Sequence, residues 1–113
     1  MKFIFPLCPT VNQQYSKSLY GVYKTQEARQ WEKEAQVTIL QTKGRKTLIG
    51  DVYVGIEYFL KFDRDIDNGK MIMDALEDNR IVVNDKQVTH LNVKKYRKQE
   101  NPRIEVTVEP IDM

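Results

Sequence analysis

Cysteine and histidine are almost missing from the sequence, which has one of each among 113 residues, Cys8 and His90. One cysteine cannot form an intrachain disulfide, and a thiolate zinc site would lack its second ligand. We therefore interpret Cys8 as a small buried residue at the end of a first strand. We interpret His90 as an exposed strand residue, which leaves no histidine for acid–base catalysis.

Long apolar runs are also missing. The N-terminal run Phe3–Leu7 is interrupted by Pro6 and is too short for the apolar region of a signal peptide. No later stretch approaches the length of a membrane span. We expect a cytoplasmic protein without a membrane partner, folded as one domain over residues 1–113.

A large excess of one sign of charge is missing as well. Lysine and arginine number 18 against 16 acidic residues, and a net charge of +2 does not by itself indicate a nucleic-acid partner. Any such indication must come from where the charges lie along the chain.

The hydrophobic pattern predicts an α/β domain of mixed α+β type, with about four strands in a mixed sheet and two main helices. The first helix is capped by Thr25 and ends near Thr42, and the second is capped by Asp67 or Asn68 and ends near Glu77. The predicted strands cover residues 2–7, 48–62, 88–98 and 104–109.

Basic residues gather in three places. Residues 9–24 are predicted to form a loop in which tyrosines and lysines could contact bases and phosphates, or in which the tyrosines could instead close one end of the core. The turn Lys43–Lys46 could reach DNA or only aid solubility. The most basic cluster is Lys94–Lys98, at the end of the predicted third strand.

An acidic stretch follows the long strand predicted over residues 48–62. Asp63, Asp65 and Asp67 alternate there, and neighbouring carboxylates repel one another unless a cation neutralises them. On an extended chain Asp65 and Asp67 leave the same side, and hard oxygen ligands suit Mg²⁺ or Mn²⁺. Asp85 follows a later apolar run, and three carboxylates together could hold one or two metals that activate water at a phosphodiester. Lys70 could then offset charge that develops on the phosphate.

The same residues have simpler interpretations. Asp63 could pair with Arg64 or face solvent, and Lys70 could pair with Asp74 one helical turn later. The first part of the stretch matches an EF-hand calcium loop, because the three aspartates occupy positions one, three and five. The glycine then stands at the seventh position and Asp74 at the twelfth, and the preceding run is strand-like, so the pattern disfavours an EF-hand.

Several motifs, in order, resemble the RusA family of Holliday junction resolvases, which are Mg²⁺-dependent endonucleases found widely in phages and prophages. Pro9–Tyr15 is similar to the family's Pro-Ser-x-Asn-x-x-Tyr. Arg64–Asn68 precedes a lysine and Asp74-Ala75-Leu76, and Asn84–Val88 is similar to Asp-Asp-x-Gln-Val. The segment Leu91–Lys95 matches the strand that follows.

The resemblance implies that Asp65, Asp67 and Asp85 bind the metal, that Lys70 is the catalytic lysine, and that a homodimer nicks opposed strands of a four-way junction. The cofactor would be Mg²⁺, with Mn²⁺ as an alternative. One glycine separates Asn68 from Lys70 where the family usually has two residues, and Asn84 stands where it often has an acid. The residues expected to hold branched DNA are Asn12, Tyr15, Lys24, Lys94, Lys95, Arg97 and Lys98. A non-catalytic protein that retains this fold and binds branched DNA is the alternative.

Overall fold

The computed structural model describes residues 1–18 and 21–111, without the side chains of Val11, Asn12 and Ser18. The elements in chain order are β1 (Lys2–Phe5), α1 (Val11–Gln14), β2 (Tyr15–Ser18), β3 (Gly21–Lys24), α2 (Gln26–Gln41), β4 (Val52–Phe59), α3 (Lys70–Asp78), β5 (Val88–Tyr96) and β6 (Arg103–Pro110). A single 3-10 turn at Asp85–Gln87 precedes β5. The predicted class, with a four-stranded mixed sheet and two main helices, is confirmed.

The main sheet has the order β1-β6-β4-β5. β6 lies antiparallel to both β1 and β4, whereas β4 and β5 run parallel. A parallel pair needs a crossover connection, and α3 lies within it. The hydrophobic residues of β4 alternate along the strand, because Val52, Val54, Ile56 and Tyr58 are all buried and the residues between them, apart from Gly55, are half-buried.

Helix α2 forms as its pattern predicts. The Thr25 hydroxyl accepts a hydrogen bond from Ala28 N at 3.2 Å, which satisfies one of the free donors of the first turn. The buried face of α2 consists of Ala28, Trp31, Ala35 and Ile39. The Trp31 indole donates to Pro6 O at 2.8 Å, so α2 is fixed to the end of the first strand.

The prediction of a loop over residues 9–24 is wrong. The segment contains the short helix α1 and the β2–β3 hairpin. Thr25, which follows the hairpin, is bonded to the end of α1, because its backbone N donates to Gln14 O at 3.0 Å and its hydroxyl to Gln13 O at 2.6 Å. Four-residue polar strands show little hydrophobic alternation, which is why the pattern did not reveal them.

The boundaries around the acidic stretch also differ from prediction. β4 is shorter than residues 48–62, and Leu48 makes only an isolated bridge with Val82.

Helix α3 begins at Lys70, and its N-cap is Gly69 in the left-handed region at φ 74°, not Asp67 or Asn68. The Asp67 carboxylate instead accepts from Gly69 N at 2.7 Å. A Cβ at position 69 would overlap the Ile56 side chain, so close approach explains this glycine.

The helices of the described ranges include none with the length and apolar character to cross a membrane.

Candidate metal and nucleic-acid site

Asp67 is the most constrained of the predicted acids. Its Oδ1 accepts hydrogen bonds from Gly69 N at 2.7 Å and from the Tyr58 hydroxyl at 3.3 Å. Its Oδ2 accepts from Gln14 Nε2 at 3.4 Å. Both side-chain donors are buried, with Tyr58 1% and Gln14 4% exposed. Three elements, α1, β4 and the start of α3, therefore converge on one half-buried carboxylate.

Asp65 shares a cavity of about 360 Å³ with Asp67. The cavity has room for several water molecules, each of which occupies about 30 Å³ in the liquid. Its other lining residues are Cys8, Pro9, Thr10, Tyr58, Arg64 and Ile66. Burial raises the pKa of the Cys8 thiol, so it stays protonated at neutral pH and leaves the two carboxylates as the hard ligands.

The chemistry of this cavity fits Mg²⁺ or Mn²⁺. Mg²⁺ commonly binds through one or two carboxylates and completes its shell with water and substrate phosphate. Asp65 is exposed, and Asp67 is oriented by the hydrogen bonds described above. Arg64 also lines the cavity and donates to Cys8 O at 2.8 Å. The site therefore offers two anionic ligands beside a guanidinium that could face a phosphate.

Asp85 lies in a second cavity, which Asn68, Lys70, Met73, Asp74 and Leu91 also line. Asp85 is the first residue of the 3-10 turn, and two hydrogen bonds hold this turn in place. The Asn84 side chain accepts from Lys86 N at 2.8 Å, and Asp85 N donates to Glu77 Oε1 at 3.1 Å. The structure thus brings Asp65 together with Asp67, and Asp85 together with Lys70. Nowhere in residues 1–18 and 21–111 do three acidic, histidine or cysteine side chains gather closely enough to hold one ion.

Lys70 makes the intrahelical contact that its spacing indicates. Its Nζ lies 3.6 Å from Asp74 Oδ2, one turn along α3, which confirms the simpler interpretation of this residue. The pair is largely exposed and contributes a few tenths of a kcal/mol, roughly, to helix stability. So weak a contact does not prevent Lys70 from meeting a phosphate.

The basic cluster at the end of β5 is partly neutralised. Asp63 pairs with Lys95 Nζ at 2.9 Å and with Arg97 Nε at 3.0 Å. Of its two simpler interpretations, the pairing with Arg64 is therefore wrong, whereas exposure to solvent is confirmed, because the side chain is 52% exposed. The hydrogen bonds from Lys95 and Arg97 lower the pKa of the Asp63 carboxyl. Lys94 and Lys98 are exposed and make no ion pair within the part of the chain that is described. Within this cluster, these two cations are more available to a phosphate backbone than Lys95 and Arg97.

The hairpin carries the other predicted DNA contacts. Tyr15 is 41% exposed and stands opposite Lys24 in the β2–β3 register. Lys24 pairs with Glu32 at 2.6 Å, and this hydrogen bond raises the pKa of the lysine. Tyr15 and Lys24 line a groove that also contains Arg29, Lys33 and Lys70. The Asn12 side chain and residues 19–20 lie outside the described part of the chain.

His90 is an exposed residue of β5, as predicted, and packs edge-on against Tyr53 at 4.8 Å between ring centroids.

The sequence prediction missed two residues of the site, Gln14 and Tyr58. Tyr58 lies on the buried face of β4, where its ring packs like that of any core aromatic residue. A buried tyrosine hydroxyl needs a hydrogen-bond partner, and that requirement could have indicated a polar group at the strand end. Gln14 gives no such signal, because the sequence predicts a loop over residues 9–24, where an amide side chain needs no buried partner.

Comparison with known proteins supports the motif resemblance. A family model described as endodeoxyribonuclease RusA matches residues 5–109, a range that contains every candidate site residue. A search of curated proteins gave no match.

Proposed function

Because the chain belongs to the endodeoxyribonuclease RusA family, we propose that it is a metal-dependent nuclease that resolves four-way DNA junctions by paired phosphodiester hydrolysis. The observation that carries this proposal is the shared cavity of Asp65 and Asp67, with Arg64 beside them. Two carboxylates next to a cation form a site for a divalent metal and a phosphate at once. An enzyme of this kind would act in the cytoplasm, where cellular and phage DNA recombine.

Asp65 and Asp67 would hold Mg²⁺, with Mn²⁺ as a substitute. The bound metal would supply an activated water and stabilise charge at the scissile phosphate. Arg64 would orient a non-bridging phosphate oxygen, and Lys70 would offset charge that develops in the transition state. Asp85 lies with Lys70 in the second cavity, where it would bind metal or position that lysine.

A homodimer would match the substrate. A four-way junction offers two opposed strands, and a two-fold symmetric pair of sites can nick both. The DNA backbone would contact Lys94 and Lys98 directly, and Lys95 and Arg97 once Asp63 releases them. The β2–β3 hairpin, with Tyr15 and Lys24, and Asn12 would complete the contacts. Light scattering of the purified chain should give twice the mass of one chain, and a monomer that still resolves junctions would contradict this part of the proposal.

The decisive experiment is a nicking assay on a four-way junction, a flap and a plain duplex, in Mg²⁺ and in Mn²⁺, with the nick positions mapped. We expect symmetric nicks confined to the junction. Asp67→Asn should abolish cleavage while junction binding persists. Asp63→Asn is the matched control, because it removes a carboxylate of the same acidic stretch that lies outside the metal cavity, and it should still cleave.

The alternative function is non-catalytic binding of branched DNA. The shortened spacing between Asn68 and Lys70 favours it. If wild type and Asp67→Asn are equally inert in both metals yet bind junctions, the alternative holds. Scattered cleavage of plain duplex would instead indicate a general nuclease.

A further inference from the structure

We infer that Tyr58 and Gln14 are positioning residues that fix the Asp67 carboxylate for metal binding, an inference that rests on the proposed function. Neither residue belongs to the acidic stretch. Tyr58 lies in β4 and Gln14 at the end of α1, and both donate to Asp67 from the protein side of the cavity.

The geometry constrains a torsion that is otherwise loose. Rotation of an aspartate carboxylate about its last bond is broad, so an unsupported Asp67 would sample many orientations. Here Oδ1 accepts two hydrogen bonds and Oδ2 accepts one, from donors on three separate elements. A carboxylate offers about four acceptor sites, so these bonds leave about one for a cation. The donors therefore fix the carboxylate without occupying all of it.

Each donor is committed to its role. The Tyr58 hydroxyl lies 3.3 Å from Asp67 Oδ1, and a carboxylate can only accept, so the phenol is the donor of this hydrogen bond. Gln14 Nε2 also donates to Pro9 O at 3.1 Å. Both partners of this amide group are acceptors, so the nitrogen must face them and the side chain cannot usefully rotate.

Packing alone does not require these polar groups. Tyr58 is 1% and Gln14 4% exposed, and burying a hydroxyl or an amide is costly unless it is hydrogen-bonded. A phenylalanine at position 58 would fill the same space without that requirement. The Tyr58 hydroxyl donates to Asp67, and this hydrogen bond offsets part of the cost of burying a hydroxyl at the end of β4.

The test measures metal affinity on the full chain without DNA, from the free Mn²⁺ signal in electron paramagnetic resonance. Removing a partner that orients a metal ligand typically costs about 10- to 100-fold in metal affinity or activity. We expect Tyr58→Phe and Gln14→Met each to weaken Mn²⁺ binding about tenfold or more, since both keep side-chain volume and lose the donor. Tyr53→Phe, on the open face of the same strand, is the matched control and should bind Mn²⁺ like wild type.

Metal rescue distinguishes positioning from loss of structure. Excess Mn²⁺ should restore junction cleavage to Tyr58→Phe and Gln14→Met, but not to Asp67→Asn, which lacks the ligand itself. Circular dichroism checks that each variant is folded. If only one of the two variants folds, its Mn²⁺ affinity alone is enough to test the inference. If wild type binds Mn²⁺ and cleaves, and both variants bind Mn²⁺ equally well, the inference is wrong while the proposed function stands. A wild type that neither binds Mn²⁺ nor cleaves overturns the function itself.

Discussion

Asp63 holds two of the cations expected at the DNA backbone. Its carboxylate oxygens lie 2.9 Å from Lys95 Nζ and 3.0 Å from Arg97 Nε. All three side chains are at least partly exposed, so the pairs contribute little to folding stability. Their effect falls on binding, because a phosphate must compete with Asp63 for the same two cations.

Asp63→Asn should therefore strengthen DNA binding. The change removes one negative charge, and it leaves Arg97 without its ion pair and Lys95 with only the hydrogen bond from its Nζ to Arg64 O at 3.0 Å. Each additional phosphate that the protein neutralises steepens the logarithmic salt dependence of affinity by about 0.9, so two phosphates would add about 1.8 to the slope. Fluorescence anisotropy of a labelled junction at several salt concentrations measures both affinity and slope.

Glu105→Gln is the control for Asp63→Asn. Glu105 also pairs with two cations, Lys2 at 2.6 Å and Arg103 at 2.7 Å, and neither belongs to the expected DNA surface. The substitution changes net charge equally and should leave the salt slope as it is. Equal effects of both variants would show that total charge, not release of the β5 cations, controls binding.

The Asp63 pairs also predict a pH dependence. The pKa of Asp63 is lowered in the folded chain, first by the hydrogen bond from Lys95 and then by that from Arg97. A lowered pKa means that the stabilisation is present above the unfolded-state pKa and is lost as pH falls through the folded one. In an NMR titration the Asp63 carboxyl should titrate below the usual aspartate range, and Lys95→Met should raise its pKa. An unchanged titration in Lys95→Met would contradict the pairing.

At the scale of elements, the start of α3 depends on Gly69. This residue adopts φ 74°, and a Cβ there would overlap the buried Ile56 side chain. Its backbone N also donates to the candidate ligand Asp67. A larger residue would therefore disturb both the helix start and the metal cavity.

Gly69→Ala should destabilise the fold more than Gly44→Ala, which provides a matched control. Gly44 has φ 76°, but its surroundings leave open space for a Cβ, so alanine there costs only the left-handed backbone, about 1–2 kcal/mol. At position 69 the overlap with Ile56 adds about 1–3 kcal/mol, typical of overpacking. Urea unfolding measures both variants, and equal losses of stability would show that Ile56 adapts at no cost.

The elements that the sequence predicts well are those with a clear period. Ala28, Trp31, Ala35 and Ile39 indicate α2, and the β4 alternation indicates which face is buried, because both patterns reflect one apolar face. The β2–β3 hairpin has no such face. The partners of Asp63 and Asp67 are also hidden from local patterns, since Lys95 and Gln14 reach them from distant parts of the chain.

At the scale of the whole molecule, two of the three basic regions lie toward opposite ends of the main sheet. β4 and β5 run parallel, so the turn Lys43–Lys46, which precedes β4, and the cluster Lys94–Lys98, which ends β5, lie toward opposite strand ends. Asp65 and Asp67 follow β4 and so share the end of Lys94–Lys98. Thr47 donates to Arg80 O at 2.6 Å, which fixes the far turn beside the end of α3.

This polarity predicts which lysines bind DNA. Lys94→Gln with Lys98→Gln should weaken junction binding and reduce the logarithmic salt slope by about 0.9 for each phosphate that the protein no longer neutralises. Lys43→Gln with Lys46→Gln removes the same charge from the opposite end of the sheet. This double variant should leave junction affinity and salt slope close to wild type, because the turn would then contribute only to solubility. The salt titration used for Asp63→Asn compares the two pairs directly. Equal reductions would place DNA along the full length of the sheet, and a reduction confined to the turn variant would reverse the orientation of DNA proposed for this domain.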